Sequence, residues 1–328
     1  MEHLSLAFVP LSWAVDAIPS LARLPDWFPC TSFKQIAKEW KTTNESAAEI
    51  PYTFVRRQMS MGKYRKSYVS NLLAQNMVEN KGNPQAAADN EDAIKWTAVS
   101  LYAAGSDSTV AILSSFFLAM IIFPDAQRKA QEEIDRAVGS DRLPSFEDRD
   151  NLPFVSGVVK EAWRWNPVGP MGLAHRADED IEYDQYLIPK GAYLLPSLWW
   201  FLHDPREYSD PEQYKPERYL EPLNEPDPGD VAFGYGRRSC AGRYFADASV
   251  FATIAKTLAV FKIEKAMDVH GNPIEVKLEH VPGMINRPKD FSFKIVPRSA
   301  NHIELLRRIG REQHFEESDS SLLDMPIS

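Results

Sequence analysis

A chain of 328 residues, 44% hydrophobic and 25% charged, carries enough apolar material for one large core or two lobes, and its composition excludes a disordered polymer. Asp plus Glu number 46 against 37 Lys plus Arg, a net charge of -9, which argues against a nucleic-acid binder because such proteins carry a basic face. Cys30 and Cys240 are the only cysteines, which excludes a disulfide framework and fits a reducing compartment.

The first twenty residues, MEHLSLAFVPLSWAVDAIPS, lack the basic start and unbroken apolar run of a signal peptide, and no anchor is read there. Helical patterning begins with PYTFVRRQMSMGKYRKSYVSNLLAQN, and Gly82 to Asn90 is the expected loop before the most apolar segment, Thr97 to Phe123. Asp107 interrupts that segment, and the uncharged run after it, Ser108 to Phe123, is short for a membrane span, so a buried core helix is expected. A carboxylate inside such a helix costs free energy unless it is paired or used. PDAQRKAQEEIDRAVGS has Pro124 and Asp125 at its start, Ala126, Ala130, Ile134 and Val138 at helical spacing and Gly139 at its end.

From Ile181 the character changes. IEYDQYLIPKGAYLLP reads as two short strands around a turn at Pro189 to Gly191, and Phe291 to Val296 as another strand. Between them HDPREYSDPEQYKPERYLEPLNEPDPGD is proline-rich and charged, hence irregular. A run this long without regular structure has a functional or packing reason. Residues 301–328 are polar and are expected to fray. No internal repeat or domain linker is visible.

Residues 233–242 read FGYGRRSCAG. A cysteine that ligates a metal must be a thiolate, which needs positive potential and nearby donors. Gly234, Gly236 and Gly242 would admit backbone amides to the sulfur, and AGRYFADASVFATIAKTLAVF, expected to be helical, would turn its positive end toward it. Arg238 would pair with an anionic group of the same ligand and Phe233 would pack over it. The commoner role of an isolated cysteine is a small buried hydrophobe, and Cys30 is assigned that role. For Cys240 the surroundings decide otherwise: Phe233, Gly236, Arg238, Cys240 and Gly242 match FxxGxRxCxG, a set of fixed positions recurring by chance at about one in a million starts. The stretch resembles the haem-binding loop of the cytochrome P-450 family.

Further stretches resemble the same family in the same order. Glu161 and Arg164 in KEAWRW lie one helical turn apart, a spacing that by itself equally describes a surface ion pair. PERY, Pro216 to Tyr219, adds Arg218, and the resemblance implies a Glu-Arg-Arg cluster that supports the haem-proximal core without touching the chemistry. AAGSDST, with Ala104, Gly105, Asp107, Ser108 and Thr109, resembles the oxygen-activation motif. Here Ser108 replaces the first threonine, keeping a hydroxyl but losing the methyl that restrains its rotamer. An acid beside an alcohol can relay protons, whereas taken alone GSDST reads as a kink or a helix start. His175 holds the position from which a basic side chain reaches a haem propionate in relatives, although a lone histidine is more often half-exposed surface. Pro170 to Ala174, and Gly283, Met284 and Ile285, resemble substrate-facing segments.

The resemblance covers nearly all of residues 1–300, starting with VDAIPSLARLPDWFP, which is similar to the region between the F and G helices of fungal members. It implies a mainly α fold with a small β part, the carboxy-terminal portion of the cytochrome P-450 fold, in a domain over 1–300 without the family's amino-terminal portion and membrane anchor. The implied activity is that of a haem-thiolate monooxygenase, which inserts one oxygen atom of O2 into a small apolar substrate. Cys240 would be the one protein ligand of the iron. Asp107, Ser108 and Thr109 would be catalytic, and Cys240, Arg238, His175, Phe233, Gly236, Gly242, Ala104 and Gly105 would bind haem. Electrons would come from NADPH through a separate reductase; the chain would be a monomer on the cytosolic face of the endoplasmic reticulum, or soluble for want of an anchor. The competing expectation is an inactive fragment that binds haem weakly or not at all. Cysteine-protease chemistry at Cys240 lacks any local signature and leaves the arginine-rich glycine loop unexplained.

Overall fold

Helices carry most of the fold, with a small β part. The computed structural model describes residues 6–7, 12–29, 31–281, 283–313, 317–319 and 322; residues 1–106 with 314–328 form one unit and residues 107–313 another. Cys30 lies outside the described residues, as do parts of the expected tail.

In the first unit α1 (Ala14–Ala17), α2 (Ser32–Ser60) and α3 (Tyr68–Glu79) are followed by α4 (Pro84–Ile122), which continues into the second unit. The helical patterning over residues 51–76 falls in two helices, the end of α2 and most of α3. The second opens at Ser67, whose Oγ accepts the Ser70 N–H at 3.1 Å, satisfying one of the donors a helix start leaves unpaired. Tyr52, Leu73 and Ile94 make a small core, with Met59, Val69 and Leu72 against it. Asn76 Nδ2 donates to Ala87 O at 2.9 Å and ties α3 to α4. The loop expected over Gly82 to Asn90 is shorter than that, because Pro84 opens α4. A proline suits the first helical position, where its missing N–H would have no partner.

The second unit holds the main core. Ile112, Phe116, Leu118, Ala119, Met120 and Ile121 of α4 pack with residues of α5 (Pro124–Ala137), α6 (Pro153–Trp165) and α9 (Arg243–Val260), while α7 (Leu198–His203) and α8 (Gly229–Ala232) are short. α4 is long and apolar enough to cross a membrane by composition; the expected core helix holds for its second half, where Ala111, Ile112, Phe116 and Leu118 to Ile121 are buried, but not before it, where Leu101, Tyr102 and Val110 are exposed. α5 follows its pattern, with Ala126, Ala130 and Ile134 buried. Its Glu133 accepts the N–H groups of Phe154 and Val155, both at 2.9 Å, and so caps α6.

Strands pair antiparallel in four pairs among the described residues: β1 (His175–Arg176) with β4 (Tyr193–Leu194), β2 (Ile181–Tyr183) with β3 (Tyr186–Ile188), β5 (Phe261–Lys265) with β8 (Phe293–Pro297), and β6 (His280–Val281) with β7 (Arg287–Pro288). The two-strand reading of IEYDQYLIPKGAYLLP needs correction. The chain first reverses between β2 and β3, where Asp184 takes φ 54°, and the turn at Pro189 to Gly191 then delivers β4 to β1. Asp is one of the few side chains that tolerate a left-handed backbone, and a short apolar run does not reveal its partner.

The expected fraying from residue 301 is also corrected. α10 (Ala300–Glu312) is a helix, with Leu305 buried in the main core and Leu306 and Ile309 packed against it. Its spacing of 302, 305, 306 and 309 is that of one helix face. HDPREYSDPEQYKPERYLEPLNEPDPGD is irregular apart from a 3-10 turn at Pro216–Tyr219 and α8 at its end.

Candidate active site

Cys240 is exposed at the end of a closed loop. Its N–H donates to Phe233 O at 2.8 Å, and Ser239 Oγ donates to the same carbonyl at 3.3 Å. Closing so short a span requires Gly234 at φ 73° and Gly236 at φ 59°, values that a side chain would strain. Gly242 differs: its φ is -85° and a Cβ there would meet Cys240 Sγ at 3.8 Å, an ordinary contact. Two of the three glycines therefore shape the loop, whereas at the third, beside the sulfur, neither backbone nor space requires glycine. Gly242 is the N-cap of α9, so the thiol faces the positive end of an 18-residue helix.

Phe233 anchors the loop to the core. Its ring lies 4.9 Å from that of Trp163 on α6, and the Arg243 guanidinium sits 5.8 Å from its centroid. The Arg238 side chain is exposed and makes no ion pair or hydrogen bond among the described residues. Tyr244 and Phe245, in the first turn of α9, are 83% and 78% exposed.

The Glu161, Arg164 and Arg218 side chains are fully buried. Arg164 grips Glu161 with two bonds, Nε to Oε1 at 2.6 Å and Nη2 to Oε2 at 3.0 Å. Its remaining donors reach Leu202 O (3.1 Å), Pro211 O (2.8 Å) and Gln213 O (2.9 Å). Glu161 also accepts the Lys215 N–H at 2.7 Å and the Tyr219 hydroxyl at 2.8 Å. Burial, and then the Glu161 charge, push the Tyr219 hydroxyl well above its ordinary pKa, which keeps it a donor to that carboxylate. Arg218 Nε lies 3.4 Å from Glu161 Oε1, while its other nitrogens hold Ser209 O, Asp210 O (2.7 Å), Gln213 O (3.0 Å) and Glu225 Oε2 (2.9 Å). The irregular passage thus has its packing reason: it delivers carbonyl oxygens to two buried guanidinium groups.

Sequence reasoning missed Glu225, the fourth charge, which makes the cluster two acids against two bases. It also missed Gly157, one turn before Glu161, where a Cβ would lie 2.6 Å from Pro216 O. The available signal was a glycine inside a helix, which costs about 1 kcal/mol relative to alanine unless close packing demands it.

Ala104, Gly105, Asp107, Ser108 and Thr109 lie on an unbroken stretch of α4, so the run is neither a helix start nor a break. Asp107 is half-buried, which reduces the desolvation its position in an apolar helix would otherwise cost. Ser106 Oγ bonds back to Ala103 O at 3.4 Å. His175 is exposed on β1, opposite Leu194 of β4. His175 on β1 and the run from Asp107 to Thr109 on α4 come from elements separate in sequence from the Cys240 loop.

A model of the family described as cytochrome P450 matches residues 6–295. The chain is 61% identical to a multifunctional cytochrome P450 monooxygenase of Aspergillus fumigatus over 98% of its own length and 60% of the relative's. It is 48% identical to a cytochrome P450 monooxygenase of Gibberella zeae, covering 100% of this chain and 62% of the relative. It is 39% identical to an O-methylsterigmatocystin oxidoreductase of Aspergillus flavus, covering 98% and 59%. The chain thus spans about 60% of the length of these curated relatives. With the match covering most of its residues and the ExxR and cysteine-loop motifs folded as coherent local structures, the chain belongs to the cytochrome P450 family.

Proposed function

We propose that the chain carries the haem-thiolate site of a monooxygenase acting on small apolar substrates, with Cys240 as the iron ligand. The observation that carries this reading is the Cys240 loop: a thiol left open to solvent at a helix start, in a loop whose backbone is closed behind it. The donor set fits haem. Cys240 lies outside any group of three or more His, Cys, Asp or Glu side chains among the described residues, and a single thiolate ligand suits a metal that brings its other ligands with it, as haem iron does. Cβ atoms at Gly234 and Gly236 would meet open space, and the exposed Tyr244 and Phe245 rings offer apolar surface.

Cys240 would bind the iron as thiolate, favoured by the positive end of α9. Arg238 and His175, both exposed, would hold the two propionates, and Phe233, Gly236 and Gly242 would shape the bed beneath the ring. When bound, haem supplies the electron and dioxygen chemistry that puts one oxygen atom into substrate and reduces the other to water. Ala104 and Gly105 would leave room beside the helix for a small diatomic. Asp107 would take up protons and Ser108, with Thr109, would pass them on from a hydroxyl oxygen. Electrons would come from NADPH through a separate reductase, with the chain acting as a monomer at the cytosolic face of the endoplasmic reticulum. The domain would run over 1–300.

The test is the spectrum of haem-reconstituted chain, reduced and exposed to carbon monoxide. The expected result is a strongly red-shifted Soret band that is lost in Cys240→Ser; a band that survives that substitution overturns the ligand assignment. With reductase present, Ser108→Ala is expected to uncouple NADPH oxidation from product, and unchanged coupling removes Ser108 from proton delivery.

A further inference from the structure

Three buried polar side chains from distant parts of the second unit form a chain of hydrogen bonds that the reading above does not use. Ser115 on α4, Asn166 just after α6 and Asn286 in the turn between β6 and β7 are 1%, 2% and 8% exposed. Asn166 Nδ2 donates to Ser115 Oγ at 2.9 Å, and Ser115 Oγ donates to Ala111 O at 2.9 Å. Asn286 Nδ2 donates to Asn166 Oδ1 at 2.7 Å and to Pro167 O at 3.1 Å, while the Asn286 N–H donates to Val168 O at 2.7 Å. Apolar side chains would fill this space without any polar group to satisfy, so the network is better understood as fixing geometry than as adding stability.

What it fixes is the relation of three segments. Ser115 lies two turns beyond Ser108 on the same face of α4, a separation of roughly 10 Å along the helix. The chain leaving Asn166 runs into residues 170–174, where Pro170 O accepts the Trp199 N–H at 2.8 Å and a Cβ on Gly172 would lie 2.6 Å from Pro196 Cγ. That segment is held closely, yet it exposes Met171 and Leu173 to 54% and 61%. The turn carrying Met284 and Ile285 ends at Asn286. Two segments bearing accessible apolar side chains are therefore tied to the Ser108 helix through one amide. The Asn166 amide offers a donor to Ser115 and an acceptor to Asn286 at once, which an apolar side chain cannot do.

We propose that Asn166 is a positioning residue: it holds residues 170–174 and 283–285 in register with α4 and thereby sets which bulky apolar ligands reach the iron bound at Cys240. The proposal rests on the haem-thiolate reading. It is tested in haem-reconstituted full chain by titrating imidazole and 4-phenylimidazole, which bind iron alike but differ by one ring, and following the Soret band. Asn166→Leu is expected to leave the imidazole Kd within about twofold and weaken 4-phenylimidazole on the order of tenfold, with Ser115→Ala shifting it in the same direction by less. Ser115→Ala removes one hydroxyl and its two bonds but keeps both asparagines, so it reports even where Asn166→Leu folds poorly.

Equal changes for both azoles, or for neither, overturn the proposal. Hydrogen exchange on the haem-free chain reads the pin without iron: Asn166→Leu is expected to speed exchange of the 283–287 amides and leave those of 233–242 unchanged. Unaltered exchange at 283–287 overturns the pin. Wild-type chain that binds neither azole sinks the haem reading instead, and exchange then decides the pin alone.

Discussion

Arg164 and Arg238 carry the same guanidinium under opposite conditions. Arg164 is buried with every N–H donor placed, on Glu161 and on the carbonyls of residues 202, 211 and 213. The Arg238 side chain is exposed and makes no ion pair or hydrogen bond among the described residues. The same division separates their surroundings. The Glu161 cluster is closed to solvent and internally satisfied, whereas the Cys240 loop is closed only in its backbone and leaves thiol, guanidinium and aromatic rings open. The contrast separates a scaffold, whose loss is felt by the fold, from a surface, whose loss is felt only by what binds there.

The largest expected effect breaks the scaffold. Arg164→Ala leaves the Glu161 carboxylate buried beside a cavity and is expected to cost about 3 to 5 kcal/mol, read as lost cooperative thermal unfolding and lost holo-protein. Fully stable, haem-loaded Arg164→Ala would remove the distinction between the two regions.

Gly157→Ala comes next. Helix propensity alone predicts a gain of about 1 kcal/mol, but the new Cβ would stand 2.6 Å from a backbone oxygen of the PERY turn. Since a backbone atom cannot swing away, the collision wins, and a net loss of about 1 to 3 kcal/mol is expected from denaturant midpoints. A gain in stability would show that the turn yields.

A smaller effect is set by pH. His203, adjacent to Leu202 whose carbonyl Arg164 holds, stacks 4.5 Å from Trp199 and bonds its Nδ1 to Trp199 O at 2.8 Å. Burial holds its pKa below the ordinary 6.5. The unfolded chain therefore takes up a proton first as pH falls, so this contribution is complete above about 6.5 and declines as pH drops through that value toward the folded pKa. The midpoint of thermal unfolding is expected to fall between pH 7.5 and 5.5, and His203→Gln is expected to flatten that fall. An identical slope in the variant would assign it elsewhere.

The smallest effect on folding is expected at the exposed site. Cys240→Ser and Arg238→Ala should each stay within about 0.5 kcal/mol of wild type in haem-free protein while weakening or abolishing the haem-thiolate signature. A large loss of haem-free stability in either would show that the loop belongs to the scaffold after all.

Local patterns carried much of this molecule. Pro124 and the apolar spacing of Ala126, Ala130 and Ile134 determined α5; the spacing of Glu161 and Arg164 put them on one helix face; and the run from Phe233 to Gly242 marked the cysteine loop, because each depends on residues within a turn or two of one another. The strand partners were not legible: His175 meets Leu194 across an intervening hairpin, and a strand of two residues carries no periodicity. Nor was Glu225 legible, or the carbonyls that hold Arg164 and Arg218, since backbone oxygens have no sequence signature and an irregular chain has no period to read. The sequence by itself determined which residues are chemically suited to the proposed site and which helical stretches present them. Tertiary structure alone decided that Glu161 is buried and matched by a fourth charge, that Cys240 remains open, and that Ser115, Asn166 and Asn286 meet, because burial and long-range hydrogen bonding depend on segments brought together only when the apolar faces pack.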